Sequence, residues 1–167
     1  MLVLIDLQND YFDPKGKFYF PETKEMIGPL SSRIQQAKAE NEKILYTLNL
    51  YTDEDPRSKE DREWASALYE PFRELLKQEE PLTKLYYGIS PPEAQKILQG
   101  AKSNPPKSIE FGGVETQLCV MANLIIVQNI FPEAEIIISR RFSRSSNPAL
   151  EEKAFSVLKG MKIKVID

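Results

Sequence analysis

A chain of 167 residues, 41% apolar and 28% charged, has the make-up of one globular domain, which excludes a fibrous repeat or a largely disordered chain. A domain of this size buries roughly 70% of the surface its unfolded chain exposes, so a single core is expected. Its 22 basic and 25 acidic residues leave a formal charge of −3 with no basic block, so nucleic acid is not an expected partner.

Met1 leads directly into the apolar run Leu2-Val3-Leu4-Ile5. The run lacks the basic segment and cleavage site of a secretory signal and is too short to cross a membrane, so it reads as a buried strand of a cytoplasmic protein with no membrane partner. Ile27, Leu30, Ile34 and Ala37 recur at helical spacing, and Ile44 to Leu48 is a second apolar strand. Thr52 to Arg62 is polar and reads as an exposed loop with the position of a lid. Trp64, Leu68, Phe72 and Leu75 mark one face of a further helix. Pro91-Pro92 opens a helix carrying Ala94, Ile97 and Leu98, and Ala101 to Lys107 is a second exposed loop. Strand Ser108 to Gly112 precedes a helix that begins near Thr116 and stops at Pro132. Strand Glu135 to Ser139 follows. Asn147 and Pro148 then cap and open a helix with Leu150, Ala154 and Leu158, and Lys162 to Ile166 is the last strand.

Apolar strands without alternation are those covered on both faces. Alternating strands and helices therefore predict an α/β fold over residues 1–167: a single-domain, Rossmann-like, three-layer α-β-α sandwich around a mostly parallel sheet of about five to six strands. In such sheets ligands bind beyond the carboxyl ends of the strands.

Three residues stand out near those ends. Asp6 ends the first strand, where a carboxylate is partly desolvated and needs a partner, although Asp is also an ordinary turn residue. Cys119 falls in the first turn after Phe111-Gly112-Gly113, a strand followed by a glycine turn. A helix start there favours a reactive thiolate over a thiol, against the ordinary role of a lone cysteine as a small apolar residue. Lys84 lies in Thr83-Lys84-Leu85-Tyr86-Tyr87, where aromatic neighbours shield the ammonium from water; composition alone would not select it. As the only cysteine, Cys119 forms no intramolecular disulfide, which fits a reducing compartment. The absence of histidine excludes serine-histidine and cysteine-histidine catalysis and removes the commonest metal ligand.

Taken together these segments resemble the isochorismatase-like cysteine hydrolases, which include nicotinamidases and N-carbamoylsarcosine amidases. Leu4-Ile5-Asp6-Leu7-Gln8-Asn9-Asp10-Tyr11-Phe12 is similar to the family's first-strand signature, which ends in a catalytic aspartate and continues Gln-Asn-Asp-Phe. Gly112-Gly113-Val114-Glu115-Thr116-Gln117-Leu118-Cys119-Val120 is similar to its nucleophile segment, and Lys84 holds the intervening lysine position. The resemblance implies a catalytic triad of Asp6, Lys84 and Cys119 and a cis peptide joining Val114 to Glu115. It also implies an oxyanion hole from the amides of Glu115 and Cys119, and a homodimer or homotetramer. The implied reaction is hydrolysis of a small-molecule amide or related carbon–nitrogen bond through a thioester, with no cofactor. Gln8 and Asn9 are expected to brace the first loop.

Two departures accompany the resemblance. Nicotinamidases of the family bind a metal through an aspartate and histidines after the second strand, where this chain has Asn49 and Tyr51, so no metal site is expected. The Ser-Ala-Phe usual after the lysine is replaced by Tyr86, Tyr87, Gly88, Ile89 and Ser90. Phe12, Tyr51, Tyr86 and Tyr87, from a wider aromatic set that includes Tyr11, are candidate pocket walls, although aromatic residues serve equally as core. A diverged pocket also permits a non-catalytic small-molecule-binding or assembly module on the same fold.

Overall fold

In the computed structural model, which describes residues 1–167, the apolar runs become the strands of one six-stranded sheet. The strands are β1 (Leu2–Ile5), β2 (Ile44–Asn49), β3 (Pro81–Lys84), β4 (Ser108–Val114), β5 (Glu135–Arg144) and β6 (Lys164–Ile166). The helices are α1 (Asn9–Phe12), α2 (Thr23–Ala39), α3 (Lys59–Ser66), α4 (Glu70–Leu76), α5 (Pro91–Ala101), α6 (Met121–Ile130) and α7 (Pro148–Gly160). All neighbouring strands are parallel, in the order β3-β2-β1-β4-β5-β6.

The four residues of β1 are all buried because successive side chains enter different cores. Val3 and Ile5 join Ile97, Val120, Leu124 and Phe155 on one face, whereas Leu2 and Leu4 join Met26, Leu30, Ile34 and Phe72 on the other. Burying one such side chain fully contributes about 1.5–3 kcal/mol, so both helical layers are held by the sheet they cover. The chain leaves β1 toward β2 on one side and later returns through β4 on the other. In open parallel sheets the carboxyl edge beside such a reversal is where ligands bind. Asp6 and Cys119 follow β1 and β4, and Lys84 ends β3.

The structure corrects several boundaries. The single helix expected through Trp64 and Leu75 is two, α3 and α4, separated by extended backbone at Ala67–Tyr69. Pro71 has no N–H to continue a helix from α3, and the gap is used by a ladder to the first loop. There Asn9 N donates to Ala67 O at 2.9 Å and Tyr69 N to Leu7 O at 2.9 Å. β3 was not expected from the sequence. It is short and at the sheet edge, and only Leu82 and Lys84 of its residues face inward, so it carries almost no apolar signal. β5 continues past Ser139 through Arg144, with a register shift opposite Phe111–Gly113. α3 begins at Lys59, which shortens the expected loop to Thr52–Ser58, and β6 begins at Lys164 rather than Lys162, whose φ of 64° belongs to a turn. The helix expected from Thr116 opens as a π-helical turn over Thr116–Val120 before α6. No helix is long and apolar enough to cross a membrane.

Candidate active site

Asp6 leaves β1 with φ 54°, a left-handed conformation that Asp tolerates better than most residues. The turn is fixed by Thr47, which stands opposite Ile5 in the β1–β2 register. Its hydroxyl accepts from Asp6 N at 3.2 Å and donates to Asp6 Oδ1 at 2.6 Å. Lys84 reaches the other carboxylate oxygen, with Nζ 2.7 Å from Asp6 Oδ2, and neither side chain is exposed. The same Nζ donates to Tyr86 O at 3.0 Å, Asn49 Oδ1 at 3.2 Å and Cys119 Sγ at 3.5 Å. The structure thus brings Asp6, Lys84 and Cys119 together from the ends of β1 and β3 and the turn after β4.

Cys119 is 6% exposed. Burial and, secondarily, the Asp6 carboxylate push its thiol up to about 12, against the opposing pull of Lys84. This corrects the expectation that the helix start holds a thiolate: desolvation outweighs it, and the group rests as a thiol.

The nucleophile turn is set by backbone geometry. The Val114–Glu115 peptide is cis. Gly113 adopts φ 122°, and a Cβ there would lie 2.1 Å from Ile5 O, so only glycine lets β4 approach β1 this closely. Glu115 Oε2 accepts from Ser145 Oγ at 3.0 Å, Ser146 N at 2.8 Å and Ser146 Oγ at 2.7 Å, which ties the turn to the loop after β5. The Glu115 carbonyl accepts from the amides of Leu118 and Val120 at 3.0 and 3.2 Å.

Other polar residues brace the site. Gln8 Oε1 accepts from Asn49 N at 2.7 Å and its Nε2 donates to Asn49 O at 2.9 Å, while Asn9 Nδ2 donates to Trp64 O at 2.8 Å. Asn123, buried within α6, donates to Cys119 O at 2.7 Å and Tyr87 O at 2.9 Å and accepts from Ile89 N at 2.9 Å. It clamps the chain beyond Lys84 to the nucleophile turn. Thr47 and Asn123 were missed from the sequence; the available signal was a polar residue inside an otherwise apolar segment.

The four candidate pocket residues separate. Tyr51 and Tyr86 line an open cavity of about 860 Å³ with Leu50, Asp55 and Leu85, and Tyr86 also lines a neighbouring one of about 490 Å³ that includes Lys84 and Ser90. Phe12 does not belong to this wall: it is fully buried, packed edge-on against Phe72 and stacked with Tyr69. Tyr87 is 57% exposed and lines neither cavity, nor does Cys119.

The segment Thr52–Ser58 is pinned rather than free. Arg57 Nη1 lies 2.9 and 3.0 Å from the two oxygens of the fully buried Asp10, and its Nε and Nη2 each donate to Asp55 at 2.9 Å. The guanidinium carbon sits 4.3 Å from the centre of the Tyr51 ring. Arg62, in α3, pairs with Asp53.

This fold and site define a member of the isochorismatase group: the isochorismatase domain model matches residues 1–167, and the chain belongs to that family. Among individual relatives, the nicotinamidase of Saccharomyces cerevisiae is 25% identical over 99 residues, which are 59% of this chain and 39% of that protein, so the match spans about two fifths of the relative's length. The structure of the Bacillus subtilis nicotinamidase superposes with a TM-score of 0.82 at 17% identity, covering 99% of this chain and 98% of that one. That of the Pyrococcus horikoshii pyrazinamidase in complex with zinc gives 0.74 at 20% identity, covering 99% and 97%. These likenesses establish a shared fold.

The residues here do not fit a metal of that kind. Asn49 presents its amide oxygen to Lys84, Tyr51 lies beneath the Arg57 guanidinium, and no group of three His, Cys, Asp or Glu side chains converges anywhere in the molecule. A fixed cation, Arg57, already neutralises Asp10 beside that position.

Proposed function

We propose that the protein hydrolyses small amides, or related carbon–nitrogen bonds, through a thioester on Cys119. The observation that carries this reading is the single ammonium of Lys84, 2.7 Å from Asp6 Oδ2 and 3.5 Å from Cys119 Sγ, with the Asp6 and Lys84 side chains wholly buried. Membership of the isochorismatase family supports a hydrolase, and the nicotinamidase relative supports an amide as substrate.

In this scheme Asp6 takes the thiol proton as Cys119 Sγ bonds to the substrate carbonyl carbon, a step general-base catalysis accelerates about 10²- to 10⁴-fold. Lys84 offsets the negative charge shared between carboxylate and sulfur. The backbone amides of Glu115 and Cys119 receive the oxyanion, each such donor contributing about 3 kcal/mol. Collapse of the intermediate breaks the carbon–nitrogen bond, and the proton on Asp6 passes to the leaving nitrogen. Water, losing a proton to Asp6, then attacks the thioester; the carbon–sulfur bond breaks, sulfur regains a proton and a carboxylic acid departs.

The second reading, a binding module without turnover, is favoured by one observation: Cys119 is nearly buried and lines neither cavity beside Lys84. Time-resolved intact-mass spectrometry with iodoacetamide separates the two. The hydrolase reading predicts modification of Cys119 in the folded protein, slowed by at least about tenfold in Lys84→Met because the ammonium no longer opposes the rise in the thiol pKa. A folded protein that stays unmodified, or a rate indifferent to Lys84→Met, leaves the binding module.

A further inference from the structure

Glu115 is fixed through both its side chain and its carbonyl, and its amide is left over. One carboxylate oxygen, Oε2, accepts from Ser145 Oγ at 3.0 Å, Ser146 N at 2.8 Å, Ser146 Oγ at 2.7 Å and Gln117 Nε2 at 3.3 Å. All these donors are neutral and the acceptor is a carboxylate, so each bond is of the stronger, charge-assisted kind. The Ser145 hydroxyl accepts in turn from Asn147 N at 2.9 Å, and the Asn147 side chain caps α7 by accepting from Leu150 N at 3.1 Å. A chain of hydrogen bonds therefore runs from the first turn of α7 through Ser145 to Glu115. A second tie joins the same two segments: the hydroxyls of Thr116 and Ser143, both fully buried, lie 3.1 Å apart. The Glu115 carbonyl is taken by the amides of Leu118 and Val120, whereas its own N–H donates to no group of the protein. One free donor thus sits on a residue that cannot turn.

We propose that Glu115 is a positioning residue for the oxyanion: its carboxylate, anchored on Ser145 and Ser146, aims the Glu115 N–H at the oxygen that gains charge when Cys119 attacks. The proposal rests on the reading of Cys119 as a hydrolytic nucleophile. A donor stabilises an oxyanion fully only where it already points before the charge arrives, because turning it during the reaction costs energy that offsets the bond. The carboxylate itself touches no reacting atom; it acts through the amide of its own residue. The loop after β5 thereby becomes part of the site without supplying a catalytic group.

The test uses two reagents for one sulfur. Acetaldehyde adds to the thiol: Sγ bonds to the carbonyl carbon, the carbonyl π pair moves to oxygen, and the thiol proton ends on that oxygen. The adduct therefore uses the oxyanion donors. Iodoacetamide alkylates Sγ with loss of iodide and the thiol proton and develops no oxyanion, so it reports only the thiol and the fold. Adduct formation is read from the carbonyl ¹³C resonance of labelled acetaldehyde, with Cys119→Ala as the blank. Glu115→Ala should weaken the adduct about tenfold or more, approaching the roughly 10²- to 10³-fold effect of losing an oxyanion donor, while the iodoacetamide rate is unchanged. Glu115→Gln, which loses the charge but keeps an acceptor oxygen, should recover most of the affinity. Ser146→Ala removes one donor at an exposed position and should weaken the adduct about two- to tenfold. Equal losses with both reagents would reveal a merely structural role and overturn the proposal, as would an adduct indifferent to Glu115→Ala; the hydrolytic reading survives either result. Native protein that is alkylated yet forms no adduct also overturns the proposal alone. Native protein inert to both reagents overturns the hydrolytic reading and this inference with it.

Discussion

Asp6 and Lys84 form an ion pair with both side chains wholly removed from solvent, and such a pair is worth little unless every remaining polar atom is also engaged. Here Thr47, Asn49 and the Tyr86 carbonyl provide those partners. Breaking the pair from one side leaves a buried charge. Lys84→Met should therefore destabilise the fold by about 3–5 kcal/mol, and the double variant Asp6→Asn/Lys84→Met should recover part of that loss, read from denaturation midpoints. A double variant less stable than Lys84→Met would contradict the pairing. Asp6 also raises the thiol pKa of Cys119 while Lys84 lowers it. With the thiol near 12, the ultraviolet signal of thiolate should be absent at neutral pH and emerge only in the strongly alkaline range. Asp6→Asn removes an anion beside the sulfur, so the signal should appear at lower pH even as amide hydrolysis falls about 100-fold or more for want of the base. Thiolate already present at neutral pH in the native protein would count against this electrostatic account.

At the scale of elements, the site depends on how closely β4 and the nucleophile turn approach β1. Gly113→Ala should destabilise the protein by about 3 kcal/mol or more, because the added methyl meets the Ile5 backbone and φ 122° suits no L side chain. A thermal midpoint close to native would refute the close approach. Asn123→Ala removes two hydrogen bonds between α6 and the chain beyond Lys84 and a third to the Cys119 carbonyl. Faster hydrogen exchange confined to the Ile89 amide and its neighbours is the expected sign, with a cost of about 2 kcal/mol. These elements also show what the sequence made legible. The uninterrupted apolar run of β1 and the Asn147-Pro148 start of α7 each carry a strong local signal, and both were read correctly; the glycines before Cys119, expected as a turn, instead continue β4, where they let it pair closely with β1. β3 was missed, because an edge strand with two inward residues, one of them the lysine, has no apolar periodicity to detect. The break between α3 and α4 was hidden by helical spacing that continued across Leu68. Asp6, Lys84 and Cys119 were recognised from segment resemblance. The lysine's own surroundings would not have selected it, since its partners come from β1, β2 and the turn after β4, distant in the chain.

For the molecule as a whole, a parallel sheet with both faces covered directs every polar loop that follows a strand to one edge, and all the chemistry described here lies along that edge. The segment Thr52–Ser58 closes its rim through Arg57, whose guanidinium joins Asp10 and Asp55 and covers Tyr51. Arg57→Ala should release this segment, making it the first site of limited proteolysis, whereas the native protein should resist cleavage there. Equal cleavage of the two proteins would show that the ion pairs do not hold the rim. The central claim, that Cys119 is the nucleophile of a hydrolase, is tested most directly by mixing the protein with a panel of small primary amides, quenching in acid and weighing the intact chain while ammonia release is followed. The account predicts an acyl adduct on the native chain for every amide that releases ammonia, and neither adduct nor ammonia with Cys119→Ala. Ammonia release that persists in Cys119→Ala would contradict it.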